Sequence, residues 1–188
     1  MKSFTEYLDE AKVTDKKHIE NYTDLSRPLS RVLWDHHKQG TTPSSKISVN
    51  DQHFDLDALD KITTKSKLNK SMTLYSGIRH DPSKHMDDTG HVHIPAYTST
   101  SEQYSVAHKF ANRQARRSDD GDTKADGHVL RFNMKKGQHA VDISGKSIES
   151  HEKERLLPRN IKVNLNHAET NINSEGRKIH VWDAHVVT

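Results

Sequence analysis

The spacing of apolar residues changes about a third of the way along the chain, and this change most constrains the fold. Before Leu68, apolar residues recur at intervals of three and four, which is typical of one face of a helix. From Met72 onward they fall in short runs separated by turn-forming residues, which is typical of strands. A chain whose helices precede most of its strands favours an α+β fold over a parallel α/β sheet, in which helices and strands alternate.

The same spacing predicts where the elements lie. The predicted helices are Met1–Ala11, Lys16–Lys38, Asp55–Ser66 and Val106–Ala115. The predicted strands are Met72–Ile78, His91–Ser101, His128–Asn133, Ala140–Ile143, Arg155–Leu157, Ile161–Leu165 and Lys178–Val187. We expect Pro28 to break or kink the second helix, and we expect Trp34 and Trp182 to lie in the core.

Composition bounds the classes of protein that fit. A chain of 188 residues is long enough for one domain. It contains no cysteine, which excludes disulfide scaffolds, thiolate zinc sites and cysteine nucleophiles. Its apolar runs are too short for a membrane-spanning helix, so we expect no membrane partner.

Histidines offer the first candidate metal ligands. The sequence has 15 of them, including His36, His37, His91, His93 and His151. His91 and His93 would share one face of a strand, but spacing fixes no third ligand. We therefore predict surface histidines and no metal site.

Hydroxyl side chains are concentrated in the segment Tyr97-Thr-Ser-Thr-Ser101. At the end of a strand these hydroxyls could orient a ligand. They could equally cap the helix predicted to follow, since serine and threonine are favoured at helix N-termini.

Two carboxylates, Glu152 and Glu154, immediately precede the Arg155–Leu157 strand. If the backbone is extended there, both point to the same side, where they could hold a hydroxyl and stabilise a developing cation. The alternative is a solvated charged turn.

The order of three motifs favours the functional interpretation of both segments. The first motif is Leu74-Tyr75-Ser-Gly77, and the second is Tyr97-Thr-Ser-Thr-Ser101. The third is Glu152-Lys-Glu154, which Leu-Leu-Pro158 follows after one intervening arginine. This order resembles the arginine–serine–glutamate class of mono-ADP-ribosyltransferases, which includes clostridial exoenzyme toxins and transferases of T-even phages. The resemblance covers roughly residues 55–187. It implies an ADP-ribosyltransferase fold, with N-terminal helices followed by two packed, mainly antiparallel sheets and an NAD cleft.

The resemblance also implies residue roles, with NAD as substrate and no metal. Ser99 matches the serine that supports the NAD site in this class. Glu154 matches its catalytic glutamate, and Glu152 matches the upstream acid that recognises the target. A glutamate at the upstream position goes with arginine acceptors in this class. The implied cofactor-binding residues are Tyr75, Ser76, Gly77, Arg79, Tyr97, Ser99, Thr100 and Ser101.

One position departs from the motif of the class. The class usually has arginine between the strand's aromatic residue and glycine, but Ser76 occupies this position here. Arg79 follows three residues later, and a turn or bulge at Gly77 would bring it back toward the diphosphate of NAD. We therefore expect Arg79 to take the role of the missing arginine.

The N-terminus carries a second resemblance. Residues 1–11 resemble the capsid-targeting peptide of internal head proteins of T-even phages, which a head protease removes after a Leu-x-Glu tripeptide, here Leu8-Asp9-Glu10. The alternative is an ordinary amphipathic helix. Cleavage between Glu10 and Ala11 would remove a net charge of −2 and raise the formal charge from +3 to +5, which suits packing with DNA. It would leave residues 11–188 as a single transferase domain.

Together the two resemblances imply an injected phage enzyme. The protein would be packed in the phage head with nonspecific DNA contacts, then act in the host cytoplasm as a monomer. Its acceptor would be an arginine of a host protein, with RNA polymerase or the translation machinery as first candidates. Two rivals remain: an NAD glycohydrolase, in which water replaces the acceptor, and a non-catalytic DNA-associated head protein that uses Arg113, Arg116 and Arg117.

Overall fold

The computed structural model describes residues 4–78, 80–115, 126–145, 152–174 and 176–187. The helices are α1 (Phe4–Lys38), α2 (Leu56–Lys65) and α3 (Tyr104–Ala115), with a short 3-10 helix at Pro82–His85. The strands are β1 (Lys46–Val49), β2 (Gln52–Asp55), β3 (Met72–Ile78), β4 (His91–Ile94), β5 (Thr98–Ser101), β6 (Gly127–Met134), β7 (Val141–Asp142), β8 (Glu154–Leu157), β9 (Ile161–Ile172) and β10 (Lys178–Val187). The predicted α+β fold is confirmed.

The first two predicted helices form one helix, α1, that changes direction at Leu25. The backbone of Leu25 is not helical, with φ −127° and ψ 28°. Pro28 explains the kink, because proline has no amide hydrogen and its ring crowds the preceding turn of the helix. The predicted kink is therefore confirmed, while the break expected between Ala11 and Lys16 is absent.

The strands form two sheets of unequal size. The hairpin of β1 and β2 turns at Asn50 and Asp51, both with positive φ. The large sheet has the order β4-β9-β10-β6-β3-β5-β8-β7. Its pairings are antiparallel except that of β6 with β10. This order places β5 between β3 and β8, so the three segments that carry the motifs are neighbours.

The single strand predicted over His91–Ser101 is wrong, because Pro95 divides it. β4 ends at Ile94 and pairs with β9, whereas β5 begins at Thr98 and pairs with β3 and β8. Proline lacks the amide hydrogen that a continuing ladder needs. The break lets the chain cross from one edge of the sheet to its interior.

Apolar side chains form three buried clusters. One joins α1 and α2 to β8 and to the segment just before β5, and includes Ile19, Tyr22, Leu56, Tyr97 and Leu156. The second lies against the other face of the sheet, around Leu74, Leu130 and Phe132. The third seats α3 on β6 and β10 through Ala107, Ala111, Val129 and Ile179. Trp34 and Trp182 pack against the first and second clusters but are only partly buried, so the prediction that they lie in the core is correct only in part.

Candidate active site

Four neighbouring strands each place one residue in a row on the same face of the large sheet, and three of these residues were predicted for the site. Tyr75 of β3 is directly opposite Ser101 of β5, which is opposite Glu154 of β8. Residues that are directly opposite in a ladder share a face. On its other side Tyr75 is opposite Arg131 of β6, so the row runs Arg131, Tyr75, Ser101, Glu154.

Ser99 belongs to the same face, diagonal to Glu154. Ser99 is opposite Leu156, two residues beyond Glu154 on β8. Diagonal neighbours in a ladder lie about 7–8 Å apart at Cα, which is within reach of a long side chain. The structure therefore brings together the serine and the glutamate that the sequence singles out.

The hydroxyls of the serine-rich segment hold the segment that carries the two glutamates. The Ser101 hydroxyl donates to the carbonyl of Glu152 at 2.5 Å, and the Thr100 hydroxyl donates to the carbonyl of Arg155 at 2.8 Å. Ser101 Oγ also accepts from the amide of Gln103 at 2.9 Å, just before α3 begins. Because Gln103 precedes the first residue of α3, this bond closes a turn before the helix and does not cap its first turn.

The backbone between the two glutamates is not extended, so the premise that both point to one side is wrong. Lys153 has φ 46°, in the left-handed region that residues other than glycine seldom adopt. Its carbonyl accepts from the amide of Glu102 at 3.3 Å, which ties this bend to β5. A non-glycine residue held in that region stores strain, and such strain is concentrated at functional sites.

Ser99 is contacted by a tyrosine that sequence analysis did not select. The hydroxyl of Tyr22, from α1, lies 3.1 Å from Ser99 Oγ and 3.4 Å from the Tyr97 carbonyl oxygen, so its single proton can be donated to either. Tyr22 is 1% exposed. Burial raises the pKa of the Tyr22 phenol, and the negative charge of Glu154 adds to this increase. The only signal in the sequence was the helical spacing of Tyr22, which indicated a core residue.

Tyr97 anchors β5 in the interior. Its side chain is 3% exposed, and its hydroxyl donates to the Leu56 carbonyl at 3.1 Å and to Asp60 at 2.7 Å. Arg159, in the turn after β8, binds the same Asp60 carboxylate with distances of 2.7–3.1 Å. Burial and the Asp60 hydrogen bond raise the pKa of Tyr97. A side chain so enclosed fixes β5 but offers little surface to a cofactor.

The predicted cofactor residues of β3 separate into different surroundings. Tyr75 packs edge-on against Tyr104, with ring centroids 5.5 Å apart. Ser76 faces the opposite side of the sheet from Ser101 and Glu154 and is 8% exposed. Gly77 lies beneath α3, where an added Cβ would be 2.2 Å from the Ala107 carbonyl oxygen. Arg79 lies outside the described residues.

Arg131 is an arginine of the row that sequence analysis missed. Its guanidinium binds Asp183 through two hydrogen bonds of 2.6 and 3.0 Å and reaches Glu169 at 3.3 Å. The pair with Arg131 lowers the pKa of Asp183. Two carboxylates around one guanidinium give the group a net negative charge, which is unsuited to a diphosphate.

Arg155 lies on the face opposite Glu154, beside Thr100. Its Nε is 2.6 Å from Glu102 Oε1, and Nη2 is 3.5 Å from Asp142. These pairs join the start of β8 to β7 and to the residue that follows β5. They fix the strand that carries Glu154 without placing a cation beside it.

Histidines come together without completing a metal site. The Nδ1 atoms of His37 and His93 lie 3.3 Å apart, whereas His151 lies outside the described residues. Within the described ranges, no three His, Asp or Glu side chains converge as a metal would require. Nor does any described helix have the length and apolarity to span a membrane.

A cavity of about 540 Å³ lies at the opposite end of β8 from Glu154. Its lining includes Lys135, Lys136, His139, Leu157 and Pro158. None of the predicted site residues lines it. The candidate site is therefore the row on the sheet, with Ser99 and Tyr22, and not this cavity.

Comparisons with known proteins bear on the fold and the family. The model of the ADP-ribosyltransferase exoenzyme family matches residues 1–188. No curated protein sequence matches the chain.

Solved structures of bacterial toxins share the architecture. Plx2a, an ADP-ribosyltransferase toxin from Paenibacillus larvae, is 20% identical with a TM-score of 0.64, over 96% of this chain and 90% of that one. C3stau2 from S. aureus, solved with NAD, is 18% identical with a TM-score of 0.59, over 96% of this chain and 91% of that one. The Clostridium limosum C3 exoenzyme is 17% identical with a TM-score of 0.59, over 94% of this chain and 93% of that one. The ADP-ribosyltransferase fold expected from the sequence is therefore confirmed.

Proposed function

The chain belongs to the ADP-ribosyltransferase exoenzyme family, and from this premise we propose that it transfers ADP-ribose from NAD to an arginine of a host protein. The observation that carries the proposal is the position of Glu154, which shares one sheet face with Ser99 and Ser101. Membership of the family supplies the reaction class. The arginine acceptor follows from Glu152 at the upstream position of the motif.

In this reaction the glycosidic bond between nicotinamide and the ribose C1′ breaks, and nicotinamide leaves with the bonding electron pair. The ribose carbon gains oxocarbenium character, which a facing carboxylate stabilises more in the transition state than in the ground state. Glu154 takes this role. Its backbone carbonyl accepts from the Ile143 amide at 3.1 Å and from the Ser144 hydroxyl at 3.3 Å, so its strand is held on the side of β7 as well as that of β5.

The acceptor step forms a bond between a guanidinium nitrogen and C1′, and the nitrogen releases a proton. A guanidinium is normally protonated, so a carboxylate is needed to orient it and to take that proton. Glu152 takes this role. Ser101 supports it by donating to the carbonyl of Glu152, and the left-handed bend at Lys153 separates its direction from that of Glu154.

NAD binding is assigned to Tyr75 of the row and to Ser99, with Arg79 at the diphosphate. Ser76, Gly77, Tyr97, Thr100 and Ser101 support the strands around the bound NAD, since they are buried or bonded to other elements. Metal is not required by this assignment.

The N-terminal segment gives the proposal its setting. Cleavage between Glu10 and Ala11 would release the capsid-targeting peptide in the phage head, where the protein would contact DNA nonspecifically. It would enter the host cytoplasm with the DNA and act there on RNA polymerase or the translation machinery. Mass spectrometry of the protein from virions tests this: an N-terminus at Ala11 is expected, and Met1 retained in mature particles contradicts it.

A non-catalytic head protein is the second candidate, and Ser76 is the observation that favours it. The side chain at the usual arginine position is short and buried on the far face. Arg131, the described arginine in the row, is already paired with carboxylates. On this alternative the fold is retained while NAD binding is lost.

The deciding experiment incubates the full chain with radiolabelled NAD and host lysate, beside Glu154→Gln and Arg79→Ala proteins. Label on discrete proteins, reduced about a thousandfold in Glu154→Gln, is expected for the transferase. Glu20→Gln is the matched control, because it removes an exposed carboxylate on α1, and it should leave labelling unchanged. Nicotinamide release without protein label would mark a glycohydrolase, and neither product from folded protein would favour the non-catalytic candidate.

A further inference from the structure

Tyr22 is the contact of α1 with the serine of the site. Its ring packs against Tyr97 in an edge-on arrangement, with centroids 5.9 Å apart and planes at 80°. With 1% of the residue exposed, the phenol has no room to swing away. The hydroxyl is therefore held beside Ser99 by packing on all sides.

The hydrogen-bond geometry restricts the available donors. A phenol has one proton and a serine hydroxyl has one proton. The Tyr22 hydroxyl has a distance of 3.1 Å to Ser99 Oγ and 3.4 Å to the Tyr97 carbonyl, and the shorter contact has the better hydrogen-bond length. If Tyr22 donates to Ser99, the serine proton is left to point elsewhere.

We propose that Tyr22 is a positioning residue, which donates to Ser99 Oγ and so directs the single Ser99 proton toward Glu154 and the ribose it holds. The proposal rests on the proposed function. Without Tyr22, the Ser99 hydroxyl would rotate freely and would accept as readily as it donates. Orientation of this kind lowers the barrier without adding contacts to the substrate, so it acts on kcat and not on binding.

The electrostatics of the site keep Tyr22 able to donate. Burial raises the pKa of Tyr22 by more than the hydrogen bond with Ser99 lowers it, and the charge of Glu154 raises it further, so the phenol stays protonated at neutral pH. A hydroxyl that receives a hydrogen bond also becomes a better donor, because neighbouring bonds polarise one another. On this proposal Tyr22 and Ser99 form a chain of two donors that ends on the Glu154 carboxylate.

The test is a double-mutant cycle on NAD cleavage by the full chain. Wild type, Tyr22→Phe, Ser99→Ala and the double variant are compared by nicotinamide release, with kcat and KM for NAD determined separately. Phenylalanine keeps the packed ring and removes only the hydroxyl. Thr63→Val is the matched control, because Thr63 is another fully buried hydroxyl, bonded to the Leu59 carbonyl at 2.9 Å on α2.

We expect Tyr22→Phe to lower kcat about tenfold with KM changed less than twofold, and to have no further effect once Ser99 is alanine. Equal kcat in wild type and Tyr22→Phe overturns the inference, as do losses that multiply in the double variant. If Tyr22→Phe fails to fold, Ser99→Ala still decides: wild-type kcat in that protein overturns the inference. Absence of NAD cleavage by folded wild type would instead overturn the proposed function itself, and this inference with it.

Discussion

The two sides of the site are built by different means. The serine–glutamate half, which consists of β5, β7 and β8 with residues 152–153, is held by hydrogen bonds from side chains to backbone. The tyrosine–glycine half, which consists of β3, β6 and α3, is held by close packing at Gly77 and by buried side chains. Hydrogen bonds specify the directions of particular atoms, whereas packing specifies shape.

This difference matches where the chain keeps the motif of its family and where it departs from it. Ser99, Ser101 and Glu154 are present, and their neighbours fix them from several directions. In the tyrosine–glycine half, Ser76 stands where the motif usually has arginine, yet β3 still pairs with β6 along its whole length. A strand held by packing tolerates a change of one functional side chain, because its position depends mainly on the shape of its buried neighbours.

The largest effect is expected where packing alone acts. Gly77→Ala should destabilise the protein by about 3 kcal/mol, since a Cβ there would lie 2.2 Å from the Ala107 oxygen and 2.7 Å from the Ala111 nitrogen. Urea unfolding measures the loss. Gly145→Ala is the control, because nothing lies within 4 Å of its Cβ position. Equal stability of the two variants would mean that α3 is not seated tightly on β3.

A pH dependence should come from the same half, through His128 of β6. Burial lowers the pKa of His128 to about 4, against about 6.5 in an unfolded chain. The unfolded state thus binds more protons between these values, so the free energy of unfolding falls as the pH is lowered through this window. Between pH 7 and 5 the contribution is about 2 kcal/mol.

His128→Gln isolates the contribution of His128 to the free energy of unfolding, because glutamine does not titrate. The glutamine carbonyl oxygen can still accept a hydrogen bond from Trp182, as the neutral His128 Nδ1 does at 3.3 Å. Urea unfolding at pH 7 and 5 should show a smaller decrease for the variant than for wild type. The same decrease in both would remove His128 as the cause.

In the serine–glutamate half, Ser101→Ala should have a smaller effect on stability and a selective effect on activity. It removes the bonds to the Glu152 carbonyl and from the Gln103 amide, at a cost of about 1.5 kcal/mol. Because we propose Glu152 as the acceptor-side carboxylate, we expect transfer to protein to fall more than nicotinamide release. Equal losses in the two assays would show that Ser101 does not act through Glu152.

The smallest effect is expected at the bend between the glutamates. Lys153→Val should cost about 1 kcal/mol, because a β-branched residue resists the positive φ that Lys153 adopts. Lys153→Gly, which accepts this φ without strain, is the matched control and should keep wild-type stability within about 0.5 kcal/mol. A thermal unfolding series on the three proteins distinguishes them, and a valine variant as stable as wild type would contradict the left-handed bend.

The sequence predicted most elements because their signals are local. Asp55 was expected at the start of the third predicted helix, and it caps α2 by accepting from the Ala58 amide at 2.9 Å. The β1–β2 hairpin was missed although Asn50 and Asp51 favour a tight turn with positive φ. β9 runs seven residues beyond the predicted Leu165, because its second part is polar and owes its strand form to pairing with β10.

For the candidate site, the motifs identified the segments but not their geometry. Ser99 and Glu154 lie on one face because the register of β5 against β8 makes them diagonal neighbours. The bend at Lys153 and the face of Ser76 follow from pairing with distant strands, which spacing along the chain does not encode. The sequence did not identify Tyr22 as a site residue, because a buried tyrosine on a helix has the same spacing whether it fills a core or orients a serine.

The position of β10 sets the order in which the sheet can form. The segment Lys178–Val187 lies between β9 and β6, so these strands meet only through it, and its parallel pair with β6 joins residues about fifty positions apart. A chain that emerges gradually, from a ribosome or through a narrow channel, can form its N-terminal helices early but leaves β6 with a bare edge until these residues arrive. Long-range pairings of this kind slow folding and expose strand edges to aggregation in the meantime. Acquisition of activity should therefore be a late, nearly all-or-none event that follows release of β10.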